Sequence, residues 1–187
     1  MRRALVLPIA LLAALAGCGN SPSRPPVQTT AAAVTRFVPV ALPDQDLYFR
    51  RPASWRYTPG TAPLLATISS GLVTIAIWRY PRSEALPTTP SELVTAKDAL
   101  LAAARTRDPT FKVIQAKGTR AAHHPAVVIV ADETVAGQPR RVRSAHVYGA
   151  ASEYVVDAFA PPDQYPKVED PVFRAVVRSM RIMAPTG

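Results

Sequence analysis

The chain is poor in the residues that mark most catalytic and metal-dependent classes. Among 187 residues it has one cysteine and three histidines. A single thiol, Cys18, excludes an internal disulfide and any structural zinc site built on thiolates. No Gly-x-Ser-x-Gly or Ser-x-x-Lys run offers an activated serine, and no His-Glu-x-x-His pair offers a metalloprotease helix. The glycines are scattered, so there is no glycine-rich loop to cradle a phosphate. No segment has the roughly 20 apolar residues needed to span a bilayer. No internal repeat is visible.

What is present begins at the N-terminus. Arg2 and Arg3 precede an apolar run from Ala4 to Ala16, which ends in Leu15-Ala16-Gly17-Cys18. A basic start, a short apolar stretch and small residues before a cleavage point make a secretory signal. The run is too short to span and contains Pro8, which weakens a permanent helix. Residues 1–17 therefore read as a signal peptide. Cleavage leaves Cys18 at the new N-terminus, and the stretch resembles the lipobox of bacterial lipoproteins. That resemblance implies a diacylglycerol thioether on Cys18 and a protein anchored at the outer face of a membrane. Two acyl chains give the stable anchoring that one does not. Replacement of Cys18 by serine is expected to move the protein out of the membrane fraction, as fractionation and blotting would show. A variant that still sediments with membranes in high salt would refute the lipobox reading.

Loss of Arg2 and Arg3 with the signal lowers the formal charge from +9 to +7. An exported basic domain meets anionic surfaces rather than nucleic acid. Residues 18–40 are rich in proline, serine and alanine without apolar period, and read as the lipidated cysteine and a flexible tether. Residues 41–187 read as one domain.

Within the domain, Leu47-Tyr48-Phe49-Arg50 is a strand ended by Pro52. Leu64 to Ser69 and Leu72 to Tyr80 flank a Ser70-Gly71 hairpin. Thr89-Pro90-Ser91-Glu92 is a cap, a first-turn proline and a capping box, and opens a helix with Leu93, Val94, Leu100, Leu101 and Ala104 on one face. Strands are expected at Phe111–Ala116, Ala126–Thr134, Arg141–Tyr148 and Glu153–Phe159, the last three as a meander. A final helix is expected to start at Asp170-Pro171, with Phe173, Val176, Val177 and Met180 on one face. This order gives an α+β domain, a single antiparallel sheet packed with helices. The all-apolar strand Leu72–Trp78 favours cover on both faces.

The strand leading to Phe49, then Pro52 and Trp55, the hairpin, the helix after Pro90, the meander and the last helix Phe173…Ser179-Met180-Arg181 together resemble the PsbP-like family. That family includes LpqN-type bacterial lipoproteins. The resemblance spans residues 42–183 and implies an α/β/α sandwich without a catalytic centre. It implies docking onto another envelope protein or assistance in assembly at a membrane.

Three groups of residues invite a chemical reading. His123 and His124, with His146, Asp132, Glu133 and Asp157, contain zinc-donor types, but adjacent strand residues point to opposite faces and the pair precedes Pro125. A surface turn is the simpler reading, no metal or other cofactor is expected, and His146 reads as a hydrogen-bonded strand histidine. Arg140, Arg141 and Arg143 either grip an anion or partner, or form a solvated strand edge. Trp55 and Tyr57 flank a loop and are candidates to line a groove. The leading expectation is a non-enzymatic, lipid-anchored module that binds an envelope protein. A carrier of a small apolar or lipid-like ligand comes second, and an enzyme acting on wall polymers third.

Overall fold

The computed structural model describes residues 28–183. The signal peptide, Cys18 and the first part of the tether lie outside these residues. The chain builds β1 (Phe37–Leu42), β2 (Leu47–Pro52), β3 (Arg56–Pro59), β4 (Leu64–Ser70) and β5 (Val73–Pro81) before its first long helix. That helix is α1 (Pro90–Arg107), followed by β6 (Lys112–Ala121), β7 (His124–Val135), β8 (Gln138–Gly149) and β9 (Ser152–Ala160). A C-terminal helical run closes the domain: α2 (Tyr165–Val168), a π-helical stretch (Glu169–Arg174) and α3 (Ala175–Ser179), with β10 (Arg181–Ile182) after it.

Seven strands form one antiparallel sheet in the order β3-β4-β5-β9-β8-β7-β6. The expected meander is present as β7, β8 and β9. Its turns have two residues with positive φ, Ala136-Gly137 and Ala150-Ala151, the backbone twist that suits a tight hairpin. A second sheet of three strands, β1-β2-β10, lies beside the first.

Alternation on the central strands buries both faces. One face carries Ile75, Ile77, Val128, Val130, Val147 and Val156 and packs against Phe173, Val176 and Met180 of the C-terminal run. The other carries Val127, Ile129, Ala131, Val142 and Tyr148 and packs against Leu93 and Leu101 of α1. Helices therefore cover opposite faces, the sandwich expected from the apolar middle strands. Helix α1 begins as its cap predicts. The Thr89 hydroxyl accepts from the Glu92 N–H at 3.3 Å, and Glu92 accepts from the Thr88 and Thr89 N–H groups at 2.8 and 2.9 Å. Those backbone bonds, Thr88 first, hold the Glu92 carboxyl down to about 2.

Three boundaries and one helix-face assignment differ from expectation. The domain starts before residue 41: the Ala32 N–H donates to Ser70 Oγ at 2.8 Å, the Leu72 N–H donates to the Thr29 carbonyl at 3.1 Å, and β1 begins at Phe37. Irregular backbone held by scattered hydrogen bonds leaves no period to read. Strand β6 runs on to Ala121, because as an edge strand it is polar on its open side. The helical run starts at Tyr165, with Pro166 in the first-turn place given to Pro171. Pro171 lies inside, where a wide π turn accommodates the missing N–H and the ring. Val94 is off the buried face of α1, at 52% exposure.

Gly118 of β6 sets how closely α1 approaches the sheet. A Cβ there would lie 2.9 Å from the Leu93 Cβ. Gly118→Val should push the helix outward and cost about 1–3 kcal/mol. Urea unfolding should show a lower midpoint with an unchanged slope.

Candidate functional site

The basic cluster on β8 is internally committed. Arg141 donates to both Asp132 oxygens, at 2.8 and 2.9 Å, and its guanidinium stacks 5.8 Å from the Tyr165 ring. Arg143 is ion-paired with Glu169 at 3.2 Å and its side chain is 12% exposed. Arg140 lies on the opposite face by strand alternation, and it donates to the Pro139 carbonyl. An anion grip by all three is thus corrected: alternation separates them and carboxylates already hold two. The Trp55–Tyr57 groove is corrected as well. Trp55 is buried, with its indole N–H donating to the Ala32 carbonyl at 3.0 Å. Tyr57 lies under the Arg51 guanidinium at 5.1 Å. Trp55 does floor a groove of about 350 Å³ with Val168 and Val172, but Tyr57 is not part of it.

The three histidines are not brought together. His123 sits in the turn with φ 67°, whereas His124 already belongs to β7. Burial, then Arg120 and His123, lowers the His124 pKa. Among the described residues no group of three His, Cys, Asp or Glu side chains could hold a metal ion.

His146 instead belongs to a polar chain on the α1 face of the sheet. In the β8–β9 register Ser144 lies opposite Asp157, and Tyr148 opposite Glu153, with His146 between. Ser144 Oγ donates to Asp157 Oδ1 at 2.6 Å and lies 3.0 Å from His146 Nε2. His146 Nδ1 meets Glu153 Oε1 at 2.6 Å, and Arg82 donates to the other Glu153 oxygen. Glu153 is 4% exposed. Burial raises its pKa, but the bonds from His146 and Arg82 outweigh burial and hold the carboxyl below its usual range. Asp157 goes the other way: burial pushes it up, and the Ser144 bond only partly offsets this. Glu133 is raised too, chiefly by burial.

This chain floors a cleft of about 120 Å³ whose walls include Leu100, Phe111, Ile129, Val142 and Phe159, with Arg107 and Glu133 at its side. Sequence reasoning named Asp157 only as a zinc-donor type and read His146 as a hydrogen-bonded strand histidine, as it is; it missed Ser144, Glu153 and Arg82. The signal was there: residues 144 and 146, and residues 153 and 157, lie at even spacings, so each polar pair falls on one face of its strand. Ser–His–carboxylate order is that of an activated nucleophile. Here Ser144 sits mid-strand between β7 and β9, so its neighbouring N–H groups serve the sheet ladders rather than an oxyanion.

The rest of this sheet face is open. Helix α1 packs on β6 and β7. Over β3, β4 and β5 the same face presents Arg56, Thr58, Thr67, Ser69, Thr74, Trp78 and Tyr80, half-buried or exposed, with Ala76 and the Trp78 indole nitrogen buried among them. A separate groove of about 470 Å³ lies between the start of α1 and β6, lined by Leu93, Val94, Gly118 and Pro125.

No protein-family model matches the sequence, and no curated protein is significantly similar to it. The fold does have counterparts. Cyanobacterial PsbP (CyanoP) from Synechocystis sp. PCC 6803 superposes with a TM-score of 0.61, at 8% identity, over 80% of this chain and 94% of that one. LpqN of Mycobacterium tuberculosis, described as involved in cell envelope biogenesis, gives a TM-score of 0.51 at 15% identity over 79% of this chain and 85% of its own. A Pseudomonas aeruginosa protein of unknown function, PA94, gives 0.52 at 15% identity over 81% of this chain and 99% of its own. The chain therefore has the PsbP-like α+β fold. Identities this low speak to the fold alone.

Proposed function

We propose that the protein is a non-enzymatic docking module of the cell envelope, held to the outer face of a membrane through a lipid on Cys18, and that it binds another envelope protein through the open half of its large sheet. The observation that carries this reading is the open face over β3, β4 and β5, where Trp78 and Tyr80 stand among threonines and serines. Aromatic side chains offer large contact area at low entropic cost, and hydroxyls adapt to many partners. The fold is shared with LpqN, a protein involved in cell envelope biogenesis, and the lipobox-like start supports the compartment. No helix among the described residues is long and apolar enough to cross a membrane.

A photo-crosslinking residue at Thr67 in intact cells, followed by mass spectrometry, tests the surface. The same residue at Lys117, on the far edge strand, is the control. A reproducible envelope protein at position 67 and not at 117 is expected. Absence of any reproducible envelope partner at position 67 would count against the proposal.

A second reading is carriage of a small apolar or lipid-like ligand. The groove between α1 and β6 favours it, because its volume of about 470 Å³ falls in the range of small-molecule sites. Native mass spectrometry of protein released from membranes would show a co-purifying apolar molecule, lost in Val94→Glu. An empty protein would remove this reading.

A further inference from the structure

The hydrogen-bond chain beneath α1 has a donor count that does not close with ordinary protonation states. Glu153 is ionised, because Arg82 donates to one oxygen and burial is outweighed. Its other oxygen, 2.6 Å from His146 Nδ1, needs a hydrogen on that nitrogen. Nε2 then carries a hydrogen only if the ring is an imidazolium. Ser144 has one hydrogen to give and faces two acceptors, Nε2 at 3.0 Å and Asp157 Oδ1 at 2.6 Å.

Two patterns satisfy every contact. With Asp157 ionised, Ser144 donates to Asp157 and an imidazolium Nε2–H donates to Ser144. With His146 neutral, Ser144 donates to Nε2 and a protonated Asp157 donates to Ser144. Both patterns contain the same number of protons, and they differ only by a shift of hydrogens along the chain. If that proton is removed, one contact must place two lone pairs face to face, at 2.6 or 3.0 Å, in the floor of a narrow cleft. Leaving such a contact unmade away from water is costly.

We propose that Asp157, Ser144, His146 and Glu153 form a proton-binding site that holds one proton more than an ionised Asp157, an ionised Glu153 and a neutral His146 would carry. The proton belongs to the Asp157–His146 pair and is relayed through the Ser144 hydroxyl. The upward push that burial gives Asp157 agrees with this.

The surroundings do not substitute for the proton. Tyr148 of β8 and Tyr80 of β5 are both raised, burial first and Glu153 among the causes, and so stay neutral. Arg82 is committed to Glu153, with Glu84 beside it. At the end of α1, Arg107 and Asp108 face Glu133 of β7, and Arg107 also favours the ionised form of Asp157, an effect that burial outweighs. The site binds its proton more tightly in the folded chain than the separate side chains do unfolded. Its stabilisation is therefore complete below the unfolded values and is lost as pH rises through the folded value.

Two measurements on the full-length protein in detergent test this. Nitrogen-15 histidine spectra with carboxyl carbon shifts, near pH 7, should show either both His146 nitrogens protonated or Asp157 protonated. A neutral His146 ring beside an ionised Asp157 would overturn the proposal. Unfolding followed from about pH 6 to about pH 9 gives the second readout. The unfolding constant of the wild type should rise about tenfold per pH unit where the folded chain keeps the proton and the unfolded chain has lost it, and should level off once the folded chain releases it. Asp157→Asn places a permanent N–H donor against Ser144 and should abolish that slope. A flat wild-type profile, or the same slope in Asp157→Asn, would sink the idea. If Asp157→Asn does not fold, the spectra of the wild type still decide.

Discussion

Glu153→Ala is expected to destabilise the protein by about 3–5 kcal/mol, the range for breaking a buried charged pair by removing one partner. The carboxylate is 4% exposed and accepts from His146 Nδ1 at 2.6 Å and from Arg82. Alanine would leave the histidine N–H without an acceptor inside the sheet face. The Arg82 side is worth less, because that side chain is 45% exposed and solvent screens it. Glu153→Gln keeps the volume and an acceptor oxygen, so its cost should be well below that of alanine. Arg82→Ala should also cost less than Glu153→Ala. Chemical denaturation at about pH 7 checks the order. Equal losses for Arg82→Ala and Glu153→Ala would mean that the exposed arm dominates.

The same carboxylate sets the acid limb of stability. Its folded pKa is held below the ordinary value, so the unfolded state takes up the proton first. The stabilisation is fully present above the unfolded carboxylate range and is lost as pH falls through the folded value. In Glu153→Gln that part of the acid slope should disappear.

Phe173→Ala should cost about 3–5 kcal/mol through the core on the sheet face opposite α1. Phe173 has no exposed surface and meets Tyr165 edge-on, with ring centroids 5.8 Å apart at 61°. It sits in the π-helical stretch, so it carries the contact between the C-terminal run and the sheet. Tyr165, whose pKa is pushed up to about 12 mainly by burial, loses its aromatic neighbour in this variant. The midpoint of urea unfolding should fall with little change of slope. Phe173→Leu, which leaves a smaller cavity, should retain much of the stability.

Local chemistry made much of this fold legible. Thr89, Pro90 and Glu92 announced α1 because a capping box is satisfied within four residues. The meander was legible because β7, β8 and β9 alternate between Ala-Gly and Ala-Ala turns. The C-terminal helix was misplaced because Pro171 looks like a first-turn proline, and a π turn that tolerates it inside is set by packing of Phe173 rather than by a local preference. The packed segment before β1 was read as tether because its hydrogen bonds go to Ser70 and Trp55, which are distant in sequence.

The sites show the same division. Arg140, Arg141 and Arg143 are one cluster along the chain and separate structures in the fold. A strand turns alternate residues to opposite faces, and Asp132 and Glu169 come from elsewhere. Asp157 was named from residue type alone, and His146 was read as a hydrogen-bonded strand histidine without its partners. Only the β8–β9 register brought Ser144 between them and placed Glu153 on the remaining ring nitrogen.

The sequence by itself determined the scarcity of thiols, the basic charge, the strand–helix–strand–helix order and the apolar alternation that calls for two helical layers, because all of these depend on composition and near neighbours. The expected address of the protein, too, rests on its first eighteen residues. Tertiary structure decided which half of the sheet stays open, where α1 stops covering it, and which polar side chains share hydrogens beneath it. Those depend on strand pairing between residues far apart in the chain, and a hydrogen bond's partner has no period for a sequence to display.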